Sequence, residues 1–250
     1  MKIFIGPQQR QSQRNQIEGD LKRVLGIILI VVAFMPIVVF GIMKWTGYAS
    51  VLIENGDFTS VAHLQSAGGD CSAFLVSDKH LITAAHCLEY MEEGDRVNLT
   101  FKDDTKQYVA SVLYIPSAYE ANGTDDKLKK DYAILELDSA TFTNYYQLQL
   151  NTSTKLTDPI IVAGYPGGVT FSAAAGTVTG LSWRTYDETL QIMAGAWPGN
   201  SGGPVIDKET NRVIGILNAG DVEMEGMLIS LKIDVLENDI ELASKVQLEF

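Results

Sequence analysis

The segment Gly199-Asn200-Ser201-Gly202-Gly203-Pro204 sets one serine among glycines. Such a run bends the backbone tightly enough to expose a hydroxyl beside free N–H groups. A nucleophile and its oxyanion site require that arrangement, because acyl transfer puts negative charge on the former carbonyl oxygen. Gly/Ser turns are common and most are plain loops, so the segment gains meaning only if a base and an orienting acid occur elsewhere. The chain has 3 histidines. His63 lies in a strand-like stretch and His80 in a polar turn, where solvated or satisfied side chains are expected. His86 ends the apolar run Leu81-Ile82-Thr83-Ala84-Ala85-His86-Cys87, which turns through small residues. Asp131 stands before the alternating apolar stretch Tyr132-Ala133-Ile134-Leu135-Glu136-Leu137.

Thr83-Ala84-Ala85-His86-Cys87, Asp131 to Leu137 and Gly199 to Pro204 together resemble the three signature blocks of chymotrypsin-like serine proteases. They occur in that family's order, histidine then aspartate then serine, at separations of 45 and 70 residues close to the family's spacing. The resemblance runs from about Ile53 to the C-terminus. It implies a triad in which Ser201 attacks, His86 moves the proton and Asp131 orients and supports the imidazolium, with the N–H groups of Gly199 and Ser201 receiving the oxyanion. It also implies that Cys71 and Cys87 form a disulfide clipping the histidine loop to the preceding strand; two buried free thiols are the alternative. Such a bridge stabilises by roughly 3 kcal/mol in the chain-entropy model and fits an oxidising compartment. No second cysteine–histidine cluster is present, Asn122, Asp125 and Asp126 lack the spacing of a calcium loop, and no metal or cofactor is expected.

These groups need a scaffold, and the rest of the sequence reads as short strands and turns. Alternating segments occur at Ser60–Leu64, Phe74–Ser77, Val97–Phe101, Tyr108–Ile115, Tyr132–Leu137, Ile160–Ala163, Gly176–Trp183, Leu190–Met193, Pro204–Ile206, Val213–Leu217 and Met227–Leu231. That spacing points to an all-β barrel or sandwich; the resemblance implies two six-stranded antiparallel β-barrels with the site in their cleft. The stretch Ile233–Leu242 has helical spacing and matches the family's C-terminal helix. Residues 118–130 read as an exposed polar excursion, and no internal repeat is visible.

Before the barrels, Leu25 to Met43 carries no charge and is long enough to cross a bilayer as one helix. Basic residues crowd the side before it, so the positive-inside bias puts the N-terminus in the cytoplasm. The expected organisation is a basic cytoplasmic tail over residues 1–23, a transmembrane signal anchor over 24–44 and an extracytoplasmic (periplasmic or cell-surface) protease domain over 50–250. A cleaved signal peptide ending near Gly47-Tyr48-Ala49 competes with the anchor; the basic leader and apolar run are both long for one. Of 19 Lys/Arg and 31 Asp/Glu, residues 1–44 hold six and two, leaving the remainder with a net charge of −16. That excludes nucleic acid as a natural partner and disfavours adhesion to anionic lipid. The expected partners are protein or peptide substrates and the bilayer through residues 24–44; oligomeric state is not legible.

Specificity is read from departures. Asn200 stands where trypsin-like zymogen enzymes have an aspartate, and Leu52 rather than Arg or Lys precedes Ile53-Glu54-Asn55-Gly56. The chain therefore resembles the bacterial branch, glutamyl endopeptidases and periplasmic stress proteases, with no tryptic activation step; Tyr165-Pro166-Gly167-Gly168 also resembles that branch. Gly195, at the pocket base in the family, offers no charge for Lys or Arg, and Leu217 replaces the histidine that suits acidic substrates. Gly195, Ala196, Asn218, Ala219 and Gly220 are the expected substrate-binding residues, with an extended substrate pairing along 218–220. Trp197 is expected against the pocket wall, and Asn218 replaces a serine that commonly supports the aspartate. A small or medium apolar side chain before the scissile bond follows. The expected function is serine endopeptidase; the alternatives are a pseudoprotease that binds peptides without cleaving them and a regulatory protease restricted to one substrate.

Overall fold

The computed structural model describes residues 57–120, 124–139, 141–220 and 226–250. The chain divides into Met1–Asn55 and Gly56–Phe250, and every described residue lies in the second unit. The expected tail and anchor fall outside the described residues. No helix among those described is long and apolar enough to cross a membrane.

Twelve strands form two closed antiparallel barrels. The first comprises β1 (Val61–Ser66), β2 (Gly69–Leu75), β3 (His80–Thr83), β4 (Arg96–Phe101), β5 (Gln107–Tyr114) and β6 (Ala133–Leu137), in the order β1-β2-β3-β6-β5-β4 with β4 pairing back to β1. The second comprises β7 (Pro159–Gly164), β8 (Ser172–Gly180), β9 (Thr189–Met193), β10 (Pro204–Asp207), β11 (Val213–Gly220) and β12 (Met227–Lys232). Read from β7, its order is β7-β8-β9-β12-β11-β10, the same path as the first. A structural repeat thus exists where the sequence shows none, because closure fixes strand order while side chains only need to alternate in and out.

Strand β4 shows that alternation: Val97, Leu99 and Phe101 are buried, and Arg96 and Asn98 face solvent. Each barrel fills its own interior, the first around Leu64, Leu81, Leu99 and Leu135, the second around Ile160, Ile192, Val205 and Ile214. A third apolar cluster lies between them, including Phe74, Tyr132, Ile206, Val213 and Leu236. Burial of both strand faces at this seam explains why Ala133, Ile134 and Leu135 are all buried. The crossover segment stitches the barrels by backbone bonds, Tyr146 N–H to Leu75 O at 2.9 Å and Gln149 N–H to Val213 O at 2.9 Å.

The single C-terminal helix expected at 233–242 is two short ones, α3 (Asp234–Glu237) and α4 (Ile240–Lys245). Asp239 separates them because its carboxylate caps α4, accepting from the N–H groups of Glu241 and Leu242. The excursion before Asp131 likewise holds two helical turns, α1 (Ser117–Glu120) and α2 (Thr124–Lys129), in place of a featureless loop.

Candidate active site

His86 sits in the 3₁₀ turn Ala85–Leu88 that follows β3. Two restraints hold this turn. The disulfide between Cys71 and Cys87 joins the residue after His86 to β2, and Asp131 reaches it from the start of β6. Asp131 is 9 % exposed and accepts twice from His86: Oδ2 from Nδ1–H at 2.8 Å and Oδ1 from the backbone N–H at 2.9 Å. With Nδ1 the donor, Nε2 is left as the free base. Burial lowers the pKa of His86, but the hydrogen bond and charge of Asp131, together with the charge of Glu89, outweigh it and leave the imidazole above its ordinary value. The side chain of Asn218 bridges the barrels here, its Nδ2 donating to the carbonyl of Asp131 at 2.6 Å and its Oδ1 accepting from Leu231 N–H at 3.0 Å. Its support therefore reaches the backbone of Asp131, whose carboxylate is committed to His86.

Ser201 belongs to the tight connection between β9 and β10. Trp197 to Asn200 form a β-turn closed by Asn200 N–H to Trp197 O at 3.0 Å, with Pro198 second and Gly199 third at φ 101°. Proline second and a positive φ third define a type II turn. A Cβ on Gly199 would collide with the carbonyl of Tyr165 and come within 2.7 Å of Gly167 N. The carbonyl of Pro198 accepts from Gly167 N–H at 2.7 Å, and that of Asn200 from Gly203 N–H at 2.9 Å. In a trans peptide the N–H points away from the carbonyl, so these two bonds turn the N–H groups of Gly199 and Ser201 the other way. Neither has an acceptor among the described residues. Two donors aimed together and left free can receive an oxyanion.

The Ser201 hydroxyl donates to Asn218 O at a long 3.4 Å, and none of the hydrogen bonds among the described residues joins it to His86. The carbonyl of Ser201 is held by Ser72 N–H of β2 at 2.8 Å, which fixes the backbone of Ser201 against the first barrel. Beside Ser201 opens a cavity of about 550 Å³ lined by Ala196, Trp197, Pro198, Leu217, Ala219, Gly220 and Leu228, with Asn218 at its edge. Because β10 begins only at Pro204, its pairing with β11 ends at Ile216 and the run 218–220 keeps an open edge on that side.

Of the residues expected to bind substrate, Ala196, Asn218, Ala219 and Gly220 line this cavity, whereas Gly195 is exposed outside its wall. Trp197 lines the cavity from its rim, 76 % exposed. Leu228 was not foreseen. It faces Gly220 across the β11–β12 register, lines the cavity beside it, and its Cδ2 lies 3.7 Å from where a Cβ of Gly220 would be. No local motif marks Leu228; only the strand register brings it there.

His63 and His80 are satisfied elsewhere, as their surroundings imply. His63 bonds Asp70 at 2.8 Å and stacks on Tyr165, and His80 contacts the Ser77 hydroxyl at 3.0 Å. Cys71, Cys87 and His86 converge closely enough to suggest a metal site, but both sulfurs are committed to the disulfide and have no thiolate to offer.

A sequence model of the trypsin-like peptidase domain matches residues 71–216, which include every residue placed at the site so far except those of β11 and β12 beyond Ile216. The chloroplastic Protease Do-like 2 of Arabidopsis thaliana is 34 % identical over 146 residues, covering 55 % of this chain and 22 % of that protein. The glutamyl endopeptidase of Bacillus licheniformis is 24 % identical over 172 residues, covering 62 % of this chain and 51 % of that one. The chain thus spans between about a fifth and a half of these relatives' lengths. In fold it resembles the active form of the Rv3671c protease of M. tuberculosis, with a TM-score of 0.60 at 20 % identity over 77 % of this chain and 84 % of the other.

Proposed function

The chain belongs to the trypsin-like peptidase domain family, and on that premise we propose that it is a serine endopeptidase using Ser201, His86 and Asp131. The observation that carries the reading is the conjunction at one cleft of an acid-bound imidazole and two unpaired N–H groups flanking the serine. Ser201 Oγ turns about its side-chain torsion from Asn218 O to His86 Nε2, loses its proton there and attacks the scissile carbonyl. The N–H groups of Gly199 and Ser201 take the charge that develops. His86, now cationic beside Asp131, returns the proton to the leaving amine; water then repeats the sequence to free the acyl group. No cofactor enters any step.

The cleft supports a substrate reading as well. A peptide in extended form pairs with the open edge at 218–220, and Leu228 limits the pocket to small or medium aliphatic side chains before the scissile bond. The uncharged run from Leu25 to Met43, its basic flank and the disulfide support a membrane-anchored enzyme whose catalytic domain is outside the cytoplasm.

Labelling with a fluorophosphonate tests the enzyme reading: the parent takes the label and Ser201→Ala does not. A binding-only role has one observation in its favour, the serine hydroxyl turned to Asn218 O. A folded parent that takes no label, cleaves no protein and still binds an extended peptide supports that role instead.

A further inference from the structure

We infer that the hydroxyl of Ser72 is a positioning residue for the oxyanion donors, holding from the first barrel the peptide planes that carry them in the second. Four consecutive carbonyls run through the nucleophile turn, and each has one donor. Pro198 O is held by Gly167 N–H at 2.7 Å and Asn200 O by Gly203 N–H at 2.9 Å. The other two are held by Ser72: its hydroxyl donates to Gly199 O at 2.8 Å and its backbone N–H to Ser201 O at 2.8 Å. Ser72 therefore grips the planes on both sides of the one that carries the Ser201 N–H.

The same hydroxyl accepts from Tyr165 N–H at 2.9 Å. Tyr165 begins the short turn whose Gly167 N–H pins Pro198 O, and so orients the Gly199 N–H. One oxygen thus uses donor and acceptor together, coupling both oxyanion peptides. Ser72 has 0 % exposure, and the carbonyl of Ser72 is itself held by Thr83 Oγ1 at 2.8 Å. The neighbouring backbone is shaped around the hydroxyl, since a Cβ on Gly164 would lie 2.6 Å from Ser72 Oγ. Cys71, the residue before Ser72, is bonded to Cys87 in the turn of His86, so the strand that sets the base also sets the donors.

Removing the hydroxyl leaves Gly199 O and Tyr165 N–H buried without partners, and the Gly199–Asn200 plane must rotate to find one. Binding of an extended peptide does not use that plane, whereas the tetrahedral intermediate uses the N–H groups beside it. The loss therefore falls on kcat and on ligands that carry an oxyanion, not on KM.

The inference rests on the Ser201 endopeptidase reading, and the experiment separates the two. The full chain, Ser72→Ala and Ser72→Thr are compared with the p-nitroanilide of acetyl-Ala-Ala-Val and with the matching peptide aldehyde, whose hemiacetal needs the oxyanion donors. Rates are normalised to the folded fraction from circular dichroism. Ser72→Ala is expected to lower kcat about 10- to 100-fold, less than the loss of a whole donor, with KM nearly unchanged and aldehyde affinity falling in step. Ser72→Thr, which keeps the hydroxyl, stays within about threefold of the parent on both. The inference is overturned if folded Ser72→Ala matches the parent, if kcat falls without aldehyde affinity, or if Ser72→Thr is as impaired as Ser72→Ala. A variant Ser72→Ala that does not fold leaves the decision to Ser72→Thr, whose retained kcat and aldehyde affinity support the inference and whose loss of them refutes it. A parent that neither labels nor hydrolyses removes the endopeptidase reading and this inference with it.

Discussion

Asp131 holds His86 at two points, the ring through Oδ2 at 2.8 Å and the main chain through Oδ1 at 2.9 Å. Both oxygens are used, so the carboxylate fixes the place of the 3₁₀ turn as well as the tautomer of the ring. Asp131→Asn keeps the shape but offers one acceptor where two are needed. The expected result is a fall in kcat of about 10⁴-fold with a small change in KM, measured by steady-state hydrolysis.

The imidazole of His86 titrates above its ordinary 6.5, because the bond and charge of Asp131 and the charge of Glu89 overcome the opposing effect of burial. Catalysis needs the neutral ring, so kcat/KM falls as pH drops through this raised value. Glu89→Gln removes one of the raising influences. Its acid limb is expected at lower pH than the parent's, with the plateau unchanged; a limb that stays or moves upward contradicts the assignment of His86 as base.

Leu228 lines the cavity beside Gly220, and on the proposed reading it limits the side chain that fits. Leu228→Ala should raise the preference for Leu or Phe over Val before the scissile bond by about 10-fold or more, the range expected when a few methylenes of pocket are opened. The ratio of kcat/KM values is the measurement to use, since truncating a buried leucine also lowers stability and the folded fraction cancels in the ratio.

How much of this was legible in the sequence depends on what each residue was read by. Eleven of the segments with alternating patterns became strands, but β3 was missed and β2 was entered late, at Phe74 instead of Gly69. The physical reason is local. Gly69-Asp70-Cys71-Ser72 carries small and polar residues where β2 approaches the nucleophile turn, so close packing of backbones replaces the alternation that marks a strand. Ser72 is invisible for the same reason, although three of its hydrogen bonds reach the other barrel. Leu228 and Gly195 show the complementary failure. Spacing along the chain locates the nucleophile, while the pocket is decided by which residues face one another across β11 and β12.

Asp239 joins the C-terminal helix to both neighbours of Asp131. Its Oδ2 accepts from Lys130 Nζ at 3.0 Å and from the Tyr132 hydroxyl. Burial alone would raise the pKa of this carboxyl; the hydrogen bonds from Tyr132 and Leu242 N–H, with Lys130, bring it down to about 2. A depressed carboxyl stabilises the fold above its unfolded value of 3.8, and that contribution is lost as pH falls toward 2. Asp239→Asn keeps the cap but not the charge. Urea unfolding should show a deficit of up to about 2 kcal/mol at pH 7, reduced by solvent screening, shrinking below pH 4 and vanishing only below pH 2.

The proposed catalytic groups are divided between the two barrels, with His86 and Asp131 on the first and Ser201 with its flanking N–H groups on the second. During synthesis the first barrel emerges with a base but no nucleophile. A chain with one barrel melted is in the same condition. Competence then works as a logical conjunction: both halves must be closed, and the seam between them seated, before any bond can be cut. On the proposed mechanism, an unfinished copy therefore cuts nothing.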